Sequence, residues 1–303
     1  MKNLLLALSL VAMALSFSSC GNDEPEVPTS RESVNGIDLI NTTINVANNT
    51  VNHIEYADYT FNIEREGYNQ ATVSIIARGV KFDQNMPLEA TFRIQDIVTT
   101  NFNDYYVKFS ALSVSYYNVN TGDEETRYKI TNVKGYVDSH NKVFSLEYTV
   151  NDTWRVVVCS PIISTRVPDN DYSAPTDLFY TYSINIATMK AEVFIHNVQF
   201  TVNGATSPVL KKISIPNLDV NTSVDDNGLN FNFTGDNIVP VYYTGDNLDQ
   251  GTPYPALVVT NFNSMIRVNS GYHHIYFNAH GGEHETTGEA YLWSWQPSGS
   301  VNQ

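Results

Sequence analysis

The sequence predicts an all-β protein made of two tandem, similar antiparallel units, each a meander barrel or a β-sandwich. Three observations carry that prediction. First, the chain repeats itself. Ala71, Val73 and Ile75, then Val80 and Phe82, Pro87, and Phe92, Ile94 and Ile97 return about 120 residues later as Ala191, Val193 and Ile195, Val198 and Phe200, Pro208, and Ile213, Ile215 and Leu218. The same order at nearly the same spacing marks two copies of one unit. Second, apolar residues alternate with polar ones over short runs, the period of a half-buried strand, and no stretch holds a helical period. Third, 19 Tyr and 14 Phe with abundant Val, Ile and Thr favour strands.

The echo extends past this core. Tyr116 and Tyr117, followed by Thr121, Gly122 and Asp123, match Tyr242 and Tyr243, followed by Thr244, Gly245 and Asp246. Ile130, Thr131, Asn132 and Val133 match Val259, Thr260, Asn261 and Phe262, and Leu146 and Tyr148 match Ile275 and Phe277. Spacing drifts between the matches, as insertions settle in loops while strands keep their registers.

Taken in order, residues 1–19 read as a signal peptide: Lys2, an apolar run from Leu4 to Phe17, then Ser18 and Ser19 ahead of Cys20. The run is too short to span a bilayer comfortably. Residues 20–36, rich in Pro, Asp, Glu, Ser and Thr, read as a flexible acidic tether. Residues 37–160 hold the first unit, with strands expected at Tyr59–Ile63, Ala71–Ala77, Thr91–Ile97, Tyr105–Ala111, Val114–Asn118, Tyr128–Lys134, Val143–Thr149 and Trp154–Cys159. Asn120 to Asp123 and Asp138 to Asn141 supply hairpin turns. Ser160 to Asp177, with Pro161, Pro168 and Pro175, reads as a linker or long crossing loop at the start of the second unit, residues 161–297. Residues 298–303 read as a frayed tail. Inward positions are expected at Val73, Ile75, Phe82, Phe92 and Ile94, and at Val193, Ile195, Phe200, Ile213 and Ile215.

Phe17, Ser18, Ser19 and Cys20 resemble the lipobox of bacterial lipoproteins, and the acidic stretch Gly21 to Glu26 is similar to the surface-export signal of Bacteroidetes-type lipoproteins. That resemblance implies acylation at Cys20, a membrane anchor through that lipid, and a place on the outer membrane facing the cell exterior. The strand pattern of each half resembles the calycin-like lipoprotein domains of gut Bacteroidetes, which implies small antiparallel barrels, a class whose interior sometimes holds an apolar ligand. Neither half carries the Gly-x-Trp signature of lipocalins.

Composition excludes some partners. Lys plus Arg number 17 against 32 Asp plus Glu in 303 residues, a net charge of −15, and removal of Lys2 with the leader leaves about −16. An acidic chain with no basic run repels phosphate backbones, so no nucleic acid partner is expected. With Cys20 acylated, Cys159 has no partner for a disulfide and reads as a buried thiol.

Candidate chemistry is sparse. His280, Glu283 and His284 match the His-x-x-Glu-His pattern of inverted zinc peptidases. That chemistry needs a helix, whereas Tyr272 to Phe277 reads as a strand and two Gly residues separate His280 from Glu283, so a polar turn is expected and a metal-assisted hydrolase is the remote alternative. Turn carboxylates such as Asp225 and Asp226 lack calcium-loop spacing. No nucleophile elbow, phosphate loop or dinucleotide fingerprint occurs. The remaining resource is aromatic: one of each pair Tyr116–Tyr117 and Tyr242–Tyr243 faces out, where it can stack on a sugar or a protein. Trp293 and Trp295 share a face near the end of the last strand. The expectation is a non-enzymatic binding or assembly module recognising a glycan or a protein, without cofactor; the alternative is an apolar ligand inside a barrel.

Overall fold

The computed structural model describes residues 29–83, 85–86, 89–124, 127–167, 178–202, 205–206, 208–279 and 281–292. Cys20, His280, Trp293, Trp295 and the tail lie outside them. Among the described residues there is no helix, and the strands gather into two ten-stranded antiparallel sheets plus one short hairpin. The first sheet uses β1 (Thr29–Asn45), β2 (Thr50–Glu66), β3 (Gln70–Val80), β4 (Ala90–Thr99), β5 (Asn101–Phe102), β6 (Tyr106–Ser113), β7 (Ser115–Asn118), β8 (Ile130–Asp138), β9 (Val143–Val150) and β10 (Trp154–Cys159), in the order β5-β6-β8-β9-β10-β1-β2-β3-β4-β7. The second unit follows with β11 (Ile162–Arg166), β12 (Phe179–Asn185), β13 (Lys190–Val198), the hairpin β14 (Thr201–Val202) and β15 (Ala205–Thr206), β16 (Leu210–Asp225), β17 (Gly228–Gly235), β18 (Val241–Thr244), β19 (Gln250–Pro253), β20 (Val259–Arg267), β21 (Tyr272–Ala279) and β22 (Gly282–Ala290). Its sheet runs β13-β12-β11-β22-β21-β20-β17-β16-β18-β19, and pairing of β13 with β16 closes eight strands into a barrel.

The two units share one strand order. Around the second barrel, β11, β12, β13, β16, β17, β20, β21 and β22 occupy the places that β1, β2, β3, β4, β6, β8, β9 and β10 hold in the first, and β18 pairs with β16 as β7 pairs with β4. Two bulges fix the match residue by residue. Asp96 and Asn217, with φ of 58° and 60°, interrupt the ladders β3–β4 and β13–β16 between equivalent pairs. Asn132 and Asn261, at 52° and 51°, do the same in β8–β9 and β20–β21. Asp and Asn tolerate the left-handed region, and a bulge there bends the strand towards barrel curvature. These registers correct the sequence alignment on β3. Val73 pairs with Ile97 as Ala191 pairs with Leu218, so Val73 corresponds to Ala191 and Ile75 to Val193, two places from the match expected; the same face is kept. All ten expected inward residues are buried.

Two further expectations change. The tether was expected to reach residue 36, but Thr29 to Gly36 belongs to β1 and pairs with β2, with Arg31 bonded to Glu64 at 2.8 Å and Arg65 to Glu32 at 2.9 Å. β10 pairs only with Ile40 to Asn45, so the first half of β1 is a sheet edge, and edges favour charged and polar residues. That composition mimics a tether. The linker read from Ser160 to Asp177 contains β11, whose Ile163 and Thr165 are buried.

The units join through a second apolar face on the first sheet. Ile40, Ile44, Val157 and Cys159 point away from the first interior and pack into the core cluster of the second unit, with Val51, Ile54 and Tyr56 against them. β10 is therefore covered on both faces, which is why Val156 to Cys159 is one continuous apolar run. Cys159 is a free, buried thiol, pushed up to about 12 by that burial. Tyr56 stitches the contact: its hydroxyl donates to the Ile184 carbonyl at 3.4 Å and accepts from the Ile186 amide at 3.0 Å.

Candidate functional site

Beside this contact the units leave a groove of about 490 Å³, lined from both sides. The first unit contributes Asn35, Ile37 and Leu39 from β1 and Asn141 to Phe144 from the β8–β9 hairpin; Ser160 and Pro161 form the junction; Ile162, Ser164, Phe179 and Tyr291 come from the second unit. A bulge aims the first wall. Gly36 pairs with Tyr59 and Leu39 with Ala57, so Ile37 and Asp38 together oppose Asp58, and Asp38 takes a φ of 53°. A bulge re-aims side chains, and here Ile37 is left 65% exposed while Leu39 folds back over Gly36, where an added Cβ would meet Leu39 Cδ1 at 2.6 Å. Ile162, on the other unit, is 59% exposed. Two large aliphatic side chains, one from each unit, are exposed on one concave surface and make it a candidate binding site.

The polar rim is largely fixed. Ser160 Oγ accepts from the Phe144 amide at 2.9 Å and donates to the Lys142 carbonyl at 3.3 Å, tying the hairpin to the junction. Buried Asp138 accepts from the Asn141 amide at 2.8 Å and from Asn141 Nδ2 at 2.9 Å, and also from the Tyr291 hydroxyl. Tyr136 and Tyr291 hydroxyls lie 2.9 Å apart. Burial pushes Tyr136 up to about 12, and burial followed by the Asp138 hydrogen bond raises Tyr291, so both remain neutral at physiological pH. This knot crosses between units and holds one end of the groove.

Inside the units, aromatic rings meet one another. Phe61 stacks on Phe144 at 5.7 Å, Phe92 meets Tyr148 edge-on at 5.9 Å, and the Tyr59 hydroxyl donates to Asn41 Oδ1 at 2.8 Å while lying 3.0 Å from Tyr148 OH. In the second unit the Tyr182 hydroxyl sits 2.7 Å from His273 Nε2 and 2.5 Å from Ser264 Oγ, with Phe233 against the tyrosine ring at 4.8 Å. His273 is fully buried and lowered to about 3, by burial first and by His274 second, so it is neutral. Ser, His and Tyr side chains are together here, but sealed from any substrate.

The tyrosine pairs stand as alternation requires. Tyr116 and Tyr242 lean on the first and second cores, and Tyr117 and Tyr243 turn outward. Their registers differ by one inward position, since Tyr116 faces Ile94 and Tyr242 faces Ile213, the counterpart of Phe92. Tyr243 already has a cation on its ring, Lys212 Nζ at 4.6 Å, which also sits 4.9 Å over Phe194.

Glu283 and His284 lie on β22, just after the turn at Gly281, and not on a helix. Consecutive strand residues point to opposite faces. Glu283 is exposed beside an open hollow of about 550 Å³, while the His284 ring packs on Phe277 at 5.1 Å and Phe200 at 4.9 Å and is lowered by burial. The two cannot ligate one ion in this arrangement, and no group of three metal-capable side chains occurs among the described residues. No known protein family, curated protein or solved structure matches the chain. The groove residues went unread in the sequence because they come from five segments. The one local sign was Asn35 to Asp38, a Gly-containing turn signal inside a strand.

Proposed function

We propose that this chain is a lipid-anchored, cell-surface binding protein without catalytic activity, whose ligand seats an apolar group in the groove between its two units. The observation that carries the reading is the pair Ile37 and Ile162, one from each unit, exposed in one concavity of about 490 Å³. That volume falls in the range of small-molecule sites. The ring contacts inside each unit favour this outer site over an apolar ligand within a barrel, and the occupied face of Tyr243 favours it over a sugar stacked on the tyrosines. The leader, the small residues before Cys20 and the acidic stretch after it support the anchor; label from a fatty acid fed to cells should reach the wild-type protein and be lost in Cys20→Ala.

The binding reading is tested with N-phenylnaphthylamine, a neutral apolar dye that brightens out of water. It should bind the wild-type chain with one site, and Ile162→Arg should abolish the signal while Ile215→Val, inside the second barrel, leaves it. Equal binding by wild type and Ile162→Arg, or zinc-dependent hydrolysis lost in His284→Ala, would defeat the proposal.

A further inference from the structure

We infer that the groove's ligand is a monomeric amphiphile with an apolar body and a carboxylate head, the head being held by Lys142 and Asn35. The inference rests on the groove reading above and adds the chemical class. Its basis is a census of the rim. Ser160 has both a donor and an acceptor role filled, Tyr291 donates to Asp138, and the Asn141 amide groups are spent on the same carboxylate. Asn35 Oδ1 accepts from Thr60 Oγ1 at 2.9 Å, and the Asn35 NH₂ group has no hydrogen bond among the described residues. Lys142 lies in the turn of the β8–β9 hairpin with φ of 57°, lines the groove, and has no ion pair among the described residues.

That lysine sets a positive charge on the groove of an acidic chain. The chain carries −15, and several of its other described cations are paired with carboxylates: Lys129 with Asp152, Lys190 with Asp219, Arg31 with Glu64, Arg65 with Glu32. Asp138, the nearest carboxylate in the hairpin, is buried and saturated by Asn141 and the two tyrosines. A cation and an amide donor without partners among the described residues, both lining an apolar groove, complement a planar anionic acceptor attached to a hydrocarbon body. The acidic body disfavours docking on an anionic bilayer, so the occupant is a free amphiphile and not a membrane headgroup.

Dodecanoate and dodecanol, each below its aggregation limit, compete for the bound dye at pH 7.5. Dodecanoate should displace it about tenfold more effectively, the worth of one charge-assisted hydrogen bond. Lys142→Met keeps the apolar stem and should close that gap without weakening dodecanol; Lys142→Arg should keep it. Equal affinity of the two ligands in the wild type, or an unchanged gap in Lys142→Met, would overturn the carboxylate assignment alone. Failure of both ligands to displace the dye, or displacement that Ile162→Arg leaves intact, would overturn the groove itself. Anionic phospholipid vesicles that outcompete dodecanoate would overturn the choice of a free amphiphile.

Discussion

The two units follow the same path through space and fill it differently. Phe61 and Phe144 of the first correspond to Tyr182 and His273 of the second, by the registers that place Ile75 with Val193 and Val137 with Ile266. The ring separations are close, 5.7 Å and 5.5 Å, yet one pair is two hydrocarbons and the other is hydrogen-bonded. The neighbour changes with them. Gly135 gives its space to the Phe109 ring, which an added Cβ would meet at 2.2 Å; its counterpart Ser264 keeps the space polar and bonds Tyr182. Closure differs as well. β16 runs unbroken for 16 residues and pairs with β17 through seven positions, whereas the equivalent path in the first unit bends at Thr100, leaving β5 to pair with β6 through two. Thr99 Oγ1 donates to the Lys108 carbonyl at 2.6 Å across that break. The lesson is that strand order tolerates exchange of an apolar interior for a hydrogen-bonded polar one, and a continuous strand for a jointed one.

The difference in filling gives the largest expected effect. His273 titrates near 6.5 unfolded and is lowered to about 3 folded, so its contribution is present above about pH 6.5 and drains as pH falls towards 3. His196, lowered to about 4 by burial and by Lys212, adds to the same limb. The second unit should therefore lose about 3 kcal/mol between pH 7 and pH 4 on His273 alone, read as an earlier urea midpoint for its tyrosine and histidine NMR signals. His273→Phe, which copies Phe144, should flatten that limb. An acid loss that is equal in both units, or unchanged in His273→Phe, would break the comparison.

The jointed strand gives a smaller effect. Thr99→Val removes one hydrogen bond and should cost about 1 kcal/mol. In the wild type, amides of β5 and β6 at the break should exchange with deuterium faster than those of β16 and β17. Faster exchange in β16 than in β5 would show that continuity of the strand is not what secures closure.

Much of this architecture was legible. The matches Asn132 with Asn261 and Leu146 with Ile275 hold residue for residue, because bulge geometry restricts the residue type and interior positions restrict polarity. The β3 match slipped by two because Ala71, Val73 and Ile75 alternate identically at either offset, and only the partner strand distinguishes them. β1 was lost because its outer half is a polar edge, and β11 because prolines flank it. Of the groove, only the turn signal from Asn35 to Asp38 left a mark in the sequence. Ile37 and Ile162 are ordinary aliphatics in sequence, and their exposure in one groove exists only once a bulge and a two-residue junction have set them there.

The central claim is that binding happens between the units and not inside them. Methyl-labelled isoleucine spectra of the full chain, recorded during titration with dodecanoate, test it most directly. The δ-methyl signals of Ile37 and Ile162 should move together with one saturating curve while those of Ile94 and Ile215 stay in place. Movement of Ile94 or Ile215 with Ile37 and Ile162 unmoved would put the ligand inside a barrel and contradict it.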